Sequence, residues 1–220
     1  MPERPGSPAE DGFGGRPPTT HERMAGRSWD ASYRDGPAPW DIGEPQPAVV
    51  RVAAGGGFSG AVLDAGCGTG ENALHIAAAG LPVLGVDVAE TALAAARRKA
   101  GERGIAAEFA YADALHLDAL GRRFGSVLDC GLFHTFGAAE RARYLAALAA
   151  VTEPGGVLHL LCFSDRAAEP GPHPVSEREL RAAFGPGSGW SVSSLTEDRI
   201  RTRMHGPDGA PAWLAAVRRD

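Results

Sequence analysis

The sequence has few features that would suit a nucleic-acid, metal or membrane partner. Lysine occurs once, at Lys99, and the net charge is −5, so a phosphate backbone is an unfavourable partner. The three cysteines form no CxxC pair, which argues against a zinc site or a disulfide framework. No apolar run reaches the roughly 18 residues of a membrane span, and the first residues lack the pattern of a signal peptide. We therefore predict a cytoplasmic protein with no nucleic-acid, metal or membrane partner.

Composition divides the 220 residues into three parts. Residues 1–22 are mostly proline, glycine and charged residues, which predicts a disordered tail. Residues 23–57 contain Trp29, Tyr33 and Trp40 and then a helical pattern, which together predict an N-terminal helical lid. Residues 58–220 are predicted to form the main domain.

Short apolar runs alternate with longer alanine-rich segments from residue 61 onward. The predicted strands are 61–64, 83–87, 107–110, 126–129, 157–163, 190–203 and 211–218. The predicted helices between them are 71–79, 90–103, 138–151 and 176–184. This alternation predicts an α/β fold with a doubly wound, mostly parallel, seven-stranded sheet. Only a short Gly206–Gly209 turn separates the last two strands, so they must form an antiparallel hairpin.

A glycine-rich loop joins the first predicted strand to the first predicted helix, where such sheets bind nucleotides. It reads Asp64-Ala65-Gly66-Cys67-Gly68-Thr69-Gly70. A dinucleotide fingerprint would place its third glycine at position 71, where this chain has Glu71. Glu71 and Asp64 would repel a pyrophosphate, whereas S-adenosylmethionine carries a sulfonium and an ammonium. The charge pattern therefore favours S-adenosylmethionine over a nicotinamide cofactor.

Two further acids follow the next predicted strands. Asp87 ends the second strand, where a carboxylate can accept both ribose hydroxyls, or can instead cap the following helix. Asp113 follows the third strand and suits the adenine amino group, although it could equally be the N-cap of a helix at 114–120. Val88 and Leu115 are the predicted apolar contacts of the adenine ring, and Ala114 is a further predicted cofactor contact.

The D-x-G-x-G-x-G motif resembles that of the class I S-adenosylmethionine-dependent methyltransferases over about residues 60–220. The resemblance implies a Rossmann-like methyltransferase sheet and this cofactor. It assigns cofactor contacts to the loop residues Asp64, Gly66, Cys67, Gly68 and Gly70.

A second motif, Trp40-Asp41-x-Gly43-x-Pro45-x-Pro47, resembles the thiopurine, thiol and halide methyltransferase group. By that resemblance Trp40 contacts the cofactor from the lid; the alternative is an apolar anchor for the N-terminal helix. The segments 128–136, 161–165 and 171–176 resemble actinobacterial 2-alkyl-1-hydroxyquinolin-4-one O-methyltransferases. This similarity implies a small aromatic or heteroaromatic hydroxyl as methyl acceptor, with a thiol or halide as the alternative.

In this architecture the loops after the fourth and fifth strands face the sulfonium. They supply Phe133, His134, Phe136, Phe163, Asp165 and His173, and with Trp29 and Tyr33 of the lid these residues form the predicted acceptor pocket. Phe133 is also predicted to contact the cofactor. The predicted acceptor is a small molecule, and the enzyme is expected to be a monomer or homodimer.

Three of these residues are candidates for the chemistry of methyl transfer. His134 is predicted to be a general base or an orienting donor, because neutral imidazole titrates near working pH; the alternative is a structural histidine. His173 either faces the pocket or lies on a surface loop, and Asp165 is expected to orient one of the histidines. His21 has no partner at ligand spacing, and Lys99 is expected on a solvated helix face.

Overall fold

The computed structural model describes residue 13 and residues 15–166 and 173–220. Its centre is one seven-stranded sheet with the order β3-β2-β1-β4-β5-β7-β6. The strands are β1 Val62–Ala65, β2 Val83–Asp87, β3 Glu108–Tyr111, β4 Phe124–Cys130, β5 Thr152–Phe163, β6 Trp190–Ile200 and β7 Ala210–Arg219. Strands β1 to β5 are parallel to one another, and β7 is antiparallel to both β5 and β6. The predicted sheet and its antiparallel C-terminal hairpin are confirmed.

Seven α-helices accompany the sheet in the described part of the chain. They are α1 Thr20–Ala25, α2 Ala31–Arg34, α3 Pro47–Ala54, α4 Glu71–Ala78, α5 Glu90–Arg103, α6 Ala138–Val151 and α7 Glu177–Ala183. Two 3-10 segments, Ala114–Leu120 and Phe133–Thr135, follow β3 and β4. Among these residues no helix is both long and apolar enough to cross a membrane.

Helix α5 illustrates why these residues form layers on the sheet. Ala92, Leu93, Ala96 and Ala100 recur at helical spacing and are buried, so a face of small side chains packs closely on the strands. Strand β1 is buried along its whole length, as expected for a central parallel strand covered on both faces.

The chain order reverses between β1 and β4, which are neighbours in the sheet. In open α/β sheets a crevice forms at this point, outside the carboxyl ends of the strands. Asp64, Asp87 and Asp129 lie in or at the end of β1, β2 and β4, and of the three only Asp87 lines the cavity at this crevice.

The predicted tail boundary at residue 22 is wrong for its last residues. Helix α1 begins at Thr20 because Thr19 and Glu22 form a capping box, in which each side chain accepts the other residue's N–H. Glu22 is fully buried. The lid therefore begins before residue 23, while residues 1–12 and 14 of the predicted tail lie outside the described residues.

Strand β6 ends at Ile200, three residues earlier than predicted. The reason is that residues 201–203 leave the β7 ladder and bond to the lid instead. The Arg201 N–H donates to Gln46 Oε1 at 2.9 Å, and the Arg203 N–H donates to the Pro39 carbonyl at 2.8 Å.

Candidate active site

A cavity of about 280 Å³ lies between the lid and the carboxyl ends of β1, β2 and β4. The predicted cofactor residues that line it are Trp40, Gly66, Cys67, Gly68, Asp87, Val88, Asp113 and Ala114. The predicted acceptor residues that line it are Trp29, Tyr33, His134, Phe136 and Phe163. The structure therefore brings most of the predicted site into one cavity.

The loop after β1 turns sharply around the end of β2. Gly66 and Gly68 adopt φ values of 75° and 52°, which other residues rarely adopt. The N–H groups of Gly66 and Cys67 both donate to the Val86 carbonyl, at 2.8 and 2.9 Å. A Cβ on Gly68 would lie 2.7 Å from the Tyr33 hydroxyl, so the lid approaches this loop to a distance that only glycine permits.

Asp87 connects the loop to the end of β2. Its Oδ2 accepts the Gly68 N–H at 2.8 Å and its Oδ1 accepts the Ala89 N–H at 2.9 Å. Burial raises the pKa of Asp87, although these N–H donors act in the opposite direction. Each carboxylate oxygen retains a lone pair, so the group can still accept hydroxyls in the cavity.

Asp113 is an N-cap, one of the two roles that the sequence left open, and it also lines the cavity. Its Oδ1 accepts the Leu115 N–H at 2.9 Å, so it is the N-cap of the 3-10 segment, and it also lines the cavity beside Val88 and Ala114. Capping occupies one of its oxygens and positions the other near His116 Nδ1, at 3.2 Å. The adenine contact remains a prediction.

Asp64 and Gly70 lie behind the cavity wall. Asp64 is buried, its Oδ2 has no hydrogen-bond partner within the described residues, and burial together with Asp87 and Asp129 raises its pKa to about 7. Gly70 is the N-cap of α4, and a Cβ there would lie 2.8 Å from the Ala96 Cβ and 2.9 Å from the Phe109 ring. Gly70 therefore permits close packing of the loop on α5 and β3, and it is not among the residues that line the cavity.

Glu71 forms ion pairs with two cations of helix α5. Its carboxylate lies 2.8 Å from Lys99 Nζ and 2.7 Å from Arg103 Nη1, and its side chain is buried. Burial raises the pKa of Glu71, but hydrogen bonds from Arg103 and Lys99 outweigh this and hold it below its ordinary value. The predicted repulsion of a pyrophosphate by Glu71 is therefore weak, because the negative charge is compensated. The expectation that Lys99 is solvated is wrong for the same reason.

Aromatic rings of the lid cover the cavity. Trp40 Nε1 donates to the Tyr33 hydroxyl at 2.8 Å, and the Trp29 and Trp40 rings are 5.4 Å apart at their centroids. The lid is fixed to the loop below it because Thr69 Oγ1 donates to Asp41 Oδ2 at 2.9 Å. Its other end is fixed by Asp30 Oδ1, which accepts the Thr91 N–H at the start of α5 at 2.7 Å.

His134 is the predicted catalytic residue that lines the cavity. Its ring centroid lies 4.8 Å from that of Phe163, and among the described residues its Nδ1 has no hydrogen-bond partner. Burial lowers the pKa of His134 to about 3, and nearby His173, His21 and Arg141 act in the same direction. His134 is therefore neutral at physiological pH.

Three predicted pocket residues occupy other positions. Phe133 is fully buried in the core, where it stacks on Phe184 and lies under Arg141, so it does not line the cavity. Asp165 is exposed, because the strand end turns it outward after Ser164 pairs with Val175. His173 is outside the cavity lining but lies 5.5 Å from the His21 ring, centroid to centroid.

The structure adds cavity residues that the sequence analysis missed, notably Arg16, Thr19 and His21. Arg16 forms two hydrogen bonds to Glu22, at 2.8 and 2.5 Å, and this pair holds the start of the lid. The Thr19-x-x-Glu22 capping-box pattern was the available signal, since it marks a helix start inside the supposed tail. Ile200, Thr202 and Met204, from the end of β6 and the turn that follows it, also line the cavity.

Comparison with known proteins agrees with this geometry. A family model described as a methyltransferase domain matches residues 62–156. The 2-heptyl-1-hydroxyquinolin-4(1H)-one methyltransferase of Mycobacteroides abscessus is 36% identical, covering 83% of this chain and 82% of the relative. Probable thiol methyltransferase 2 of Arabidopsis thaliana is 26% identical, with coverage of 78% and 77%.

One similar solved structure comes from a study of the conversion of a disulfide bond into a thioacetal group during echinomycin biosynthesis. It is 40% identical and superposes with a TM-score of 0.77, covering 87% of this chain and 91% of the other. Sequence and fold thus point to the same group of proteins as the glycine loop and the acids at the strand ends.

Proposed function

The chain belongs to the S-adenosylmethionine-dependent methyltransferases, and we propose that it methylates a hydroxyl group on a small planar heteroaromatic molecule of the hydroxyquinolone or phenol type. It is an enzyme whose cofactor and methyl donor is S-adenosylmethionine. The observation that carries the proposal is a cavity with acids and a glycine loop at one end and aromatic rings around His134 at the other.

The residues at the loop end fit the cofactor chemically. Asp87 would accept the ribose hydroxyls, because both of its oxygens face N–H donors yet keep acceptor capacity. Val88 and Ala114 would contact the adenine ring, with Asp113 at its amino group. The absence of side chains on Gly66 and Gly68 leaves the loop backbone accessible to the cofactor's polar end.

The aromatic end fits a flat acceptor. Phe136, Phe163 and Trp29 contribute aromatic side chains to the cavity lining, which suits a planar apolar molecule. His134 would bond the acceptor's oxygen as a neutral imidazole, since its pKa lies far below 7. A relative that covers most of the chain bears the name of a 1-hydroxyquinolin-4-one methyltransferase, which supports the same acceptor class.

The chain's contribution to catalysis would be alignment and exclusion of water. Methyl transfer is an in-line displacement, so the acceptor oxygen must lie opposite the bond that breaks. The tryptophans of the lid and the buried ring of His134 would hold the acceptor in that line within an apolar enclosure. Lid residues from Thr19 to Gly57 would act as one functional unit over the main domain.

The test is a turnover assay on the purified protein with S-adenosylmethionine. S-Adenosylhomocysteine and the methylated product are measured by mass spectrometry for 2-heptyl-1-hydroxyquinolin-4(1H)-one, simple phenols, thiophenol and iodide. We expect turnover of the hydroxyl acceptors and loss of turnover in Phe163→Ala, with His75→Gln as a matched control outside the cavity. Turnover of none of the hydroxyl acceptors would overturn the proposal.

Sulfur is the second candidate acceptor atom. The observation that favours it is the 40% identity to a protein studied for the conversion of a disulfide bond into a thioacetal group. A matched pair of acceptors, 4-hydroxyquinoline and 4-mercaptoquinoline, separates the two atoms at constant ring shape. For each acceptor, kcat/KM is divided by the rate of its uncatalysed methylation, because a hydroxyl is intrinsically less reactive than a thiol. A higher ratio for 4-hydroxyquinoline supports oxygen as the acceptor atom, and a higher ratio for 4-mercaptoquinoline supports sulfur.

We further propose that the enzyme acts in the cytoplasm, as a monomer or homodimer, on a small molecule rather than on nucleic acid. The net charge of −5 and the shortage of lysine support a small-molecule acceptor over nucleic acid, because a polyanion would be repelled. Light scattering of the purified protein measures its mass, and incubation with total RNA and labelled cofactor measures transfer to nucleic acid. Label in the RNA fraction would contradict the proposal that nucleic acid is not the methyl acceptor.

A further inference from the structure

His21 is a cavity residue to which the proposed function gives no role. It lies in helix α1 of the lid, next to Glu22. The carboxylate of Glu22 forms a buried ion pair with Arg16. The ring is half-buried and contributes to the cavity wall together with Trp29 and His134. A titratable ring is thus carried into the cavity by the lid.

Aromatic neighbours hold the His21 ring in one orientation. It stacks on Trp29 at 4.5 Å between centroids with 9° between the planes, and it meets Trp40 and His173 edge-on at 6.2 and 5.5 Å. Its Nδ1 is shielded and has no hydrogen-bond partner in the described ranges of the chain, so Nε2, which has none there either, is the nitrogen left to bond a molecule in the cavity. The His21 ring is thus held in place by aromatic contacts while its nitrogens stay free of protein hydrogen bonds in the described ranges, as a group that bonds the acceptor requires.

His134 and His21 differ in how well they can hold a proton. His134 is deeply buried near Arg141, and its pKa of about 3 makes it a weak base. Burial and His173 hold the pKa of His21 below its ordinary value, although the Glu22 carboxylate acts in the opposite direction and the ring is only half-buried. Of the two rings, His21 is better suited to receive a proton.

We propose that His21 is the general base of the reaction, its Nε2 accepting the proton of the acceptor's hydroxyl during methyl transfer. This rests on the proposed hydroxyl acceptor. The acceptor oxygen forms the new O–C bond while the C–S bond breaks and leaves its electron pair on sulfur. The hydroxyl proton moves to Nε2 of His21, and the half-buried imidazolium then releases it to water. His134 bonds the same oxygen and stays a neutral imidazole.

The test compares two substitutions that separate stacking from basicity. His21→Phe keeps a ring on Trp29 without a nitrogen, and His21→Gln keeps a polar side chain without a useful base. Both should lower kcat about 100-fold for weakly acidic phenols, the low end of general-base contributions. His75→Gln, on α4 outside the cavity lining, is the control and should retain full activity.

The decisive readout is the dependence of kcat on acceptor acidity across ring-substituted phenols. A lost base matters little for acceptors that are already ionised, so the defect should disappear toward the most acidic phenols. A defect of equal size at every acidity would indicate a structural role and would overturn the inference, as would full activity of either variant. If the wild-type protein turns over thiols but no hydroxyl acceptor, the proposed function fails first, and with it the inference.

Affinity for S-adenosylhomocysteine, measured by calorimetry, reports on the fold of each variant. We expect values within about threefold of wild type, since His21 is not among the proposed cofactor contacts. If one variant loses this binding, the inference is decided on the other.

Discussion

The hydroxyl oxygen of Tyr33 lies 2.7 Å from the point that a Cβ on Gly68 would occupy. The same oxygen accepts the Trp40 Nε1–H at 2.8 Å, so one phenol group joins the glycine loop to the tryptophan of the lid. The fit of lid to loop therefore depends on a residue without a side chain at position 68.

Gly68→Ala should separate the lid from the loop. The new methyl group would displace the Tyr33 hydroxyl, and φ at this position is 52°. The backbone alone should cost about 1–2 kcal/mol of stability. The displaced lid should additionally weaken S-adenosylhomocysteine binding at least tenfold, as measured by calorimetry.

Gly121→Ala is the matched control for that substitution. Its φ is 61° and its Cβ would meet nothing within 4 Å, so it carries the backbone cost alone. Equal cofactor affinity in the two variants would show that the lid does not need this contact.

Asp87→Ala should weaken cofactor binding by about 1–3 kcal/mol, the range for losing hydrogen bonds to a charged group. The carboxylate also accepts the Gly68 N–H, so removing it would release the loop as well as the proposed ribose contact. Calorimetric titration with S-adenosylhomocysteine measures the change. Asp118→Ala, an exposed acid in the 3-10 segment after β3, should bind normally. Unchanged affinity of Asp87→Ala would remove the residue from the site.

The sheet and the cofactor loop could be predicted because their signals are local. The Gly66-x-Gly68-x-Gly70 spacing and the alternation of apolar runs with helices lie within short windows of sequence. The position of His21 could not be predicted in the same way. Helix α1 is held by contacts such as the Thr20 N–H to Glu140 Oε2, 3.1 Å across 120 residues of sequence, and only the capping box marks it locally.

The ion pairs of Glu71 are a second feature that could not be predicted from the sequence. Lys99 and Arg103 lie four residues apart and so share one face of α5, but spacing alone does not show that Glu71 meets that face. Asp165 shows the same limit, because the direction of its side chain depends on how the strand end pairs with Val175.

Glu71→Gln should destabilise the protein by about 1–3 kcal/mol, because it leaves a nearly buried Lys99 ammonium without its carboxylate. The folded-state pKa of Glu71 lies below its ordinary value, so the ionised form stabilises the fold above the unfolded-state pKa. That stabilisation is lost as pH falls through the folded-state value. Urea unfolding at pH 7 and pH 4 should show a gap between wild type and variant that narrows at the lower pH. A gap that is equal at both values would rule out the ion pair as its cause.

Asp64 should make the cofactor-free protein less stable as pH rises. Its folded-state pKa is about 7 against an ordinary value of 3.8, so the folded chain holds this proton more tightly than the unfolded chain. The free energy of unfolding should therefore fall between about pH 4 and pH 7 and then level off, by up to about 4 kcal/mol at 1.36 kcal/mol per pKa unit. Asp87 and Asp129, whose pKa values are also raised by burial, act in the same direction.

Asp64→Asn should reduce this slope, leaving the part due to Asp87 and Asp129, and be more stable than wild type at pH 8, because the amide carries no charge into the protein interior. Urea unfolding at pH 5 and pH 8 measures both states, and Asp208→Asn, an exposed acid in the β6–β7 turn, should keep the wild-type slope. If Asp64→Asn retains that slope, the proton is held elsewhere among the three acids. If the pH dependence of the free energy of unfolding is reduced, the ionised Asp64 carboxylate destabilises the cofactor-free protein. The positive charge of a cationic cofactor bound nearby would then compensate that carboxylate, which is a physical reason for it to bind at this site.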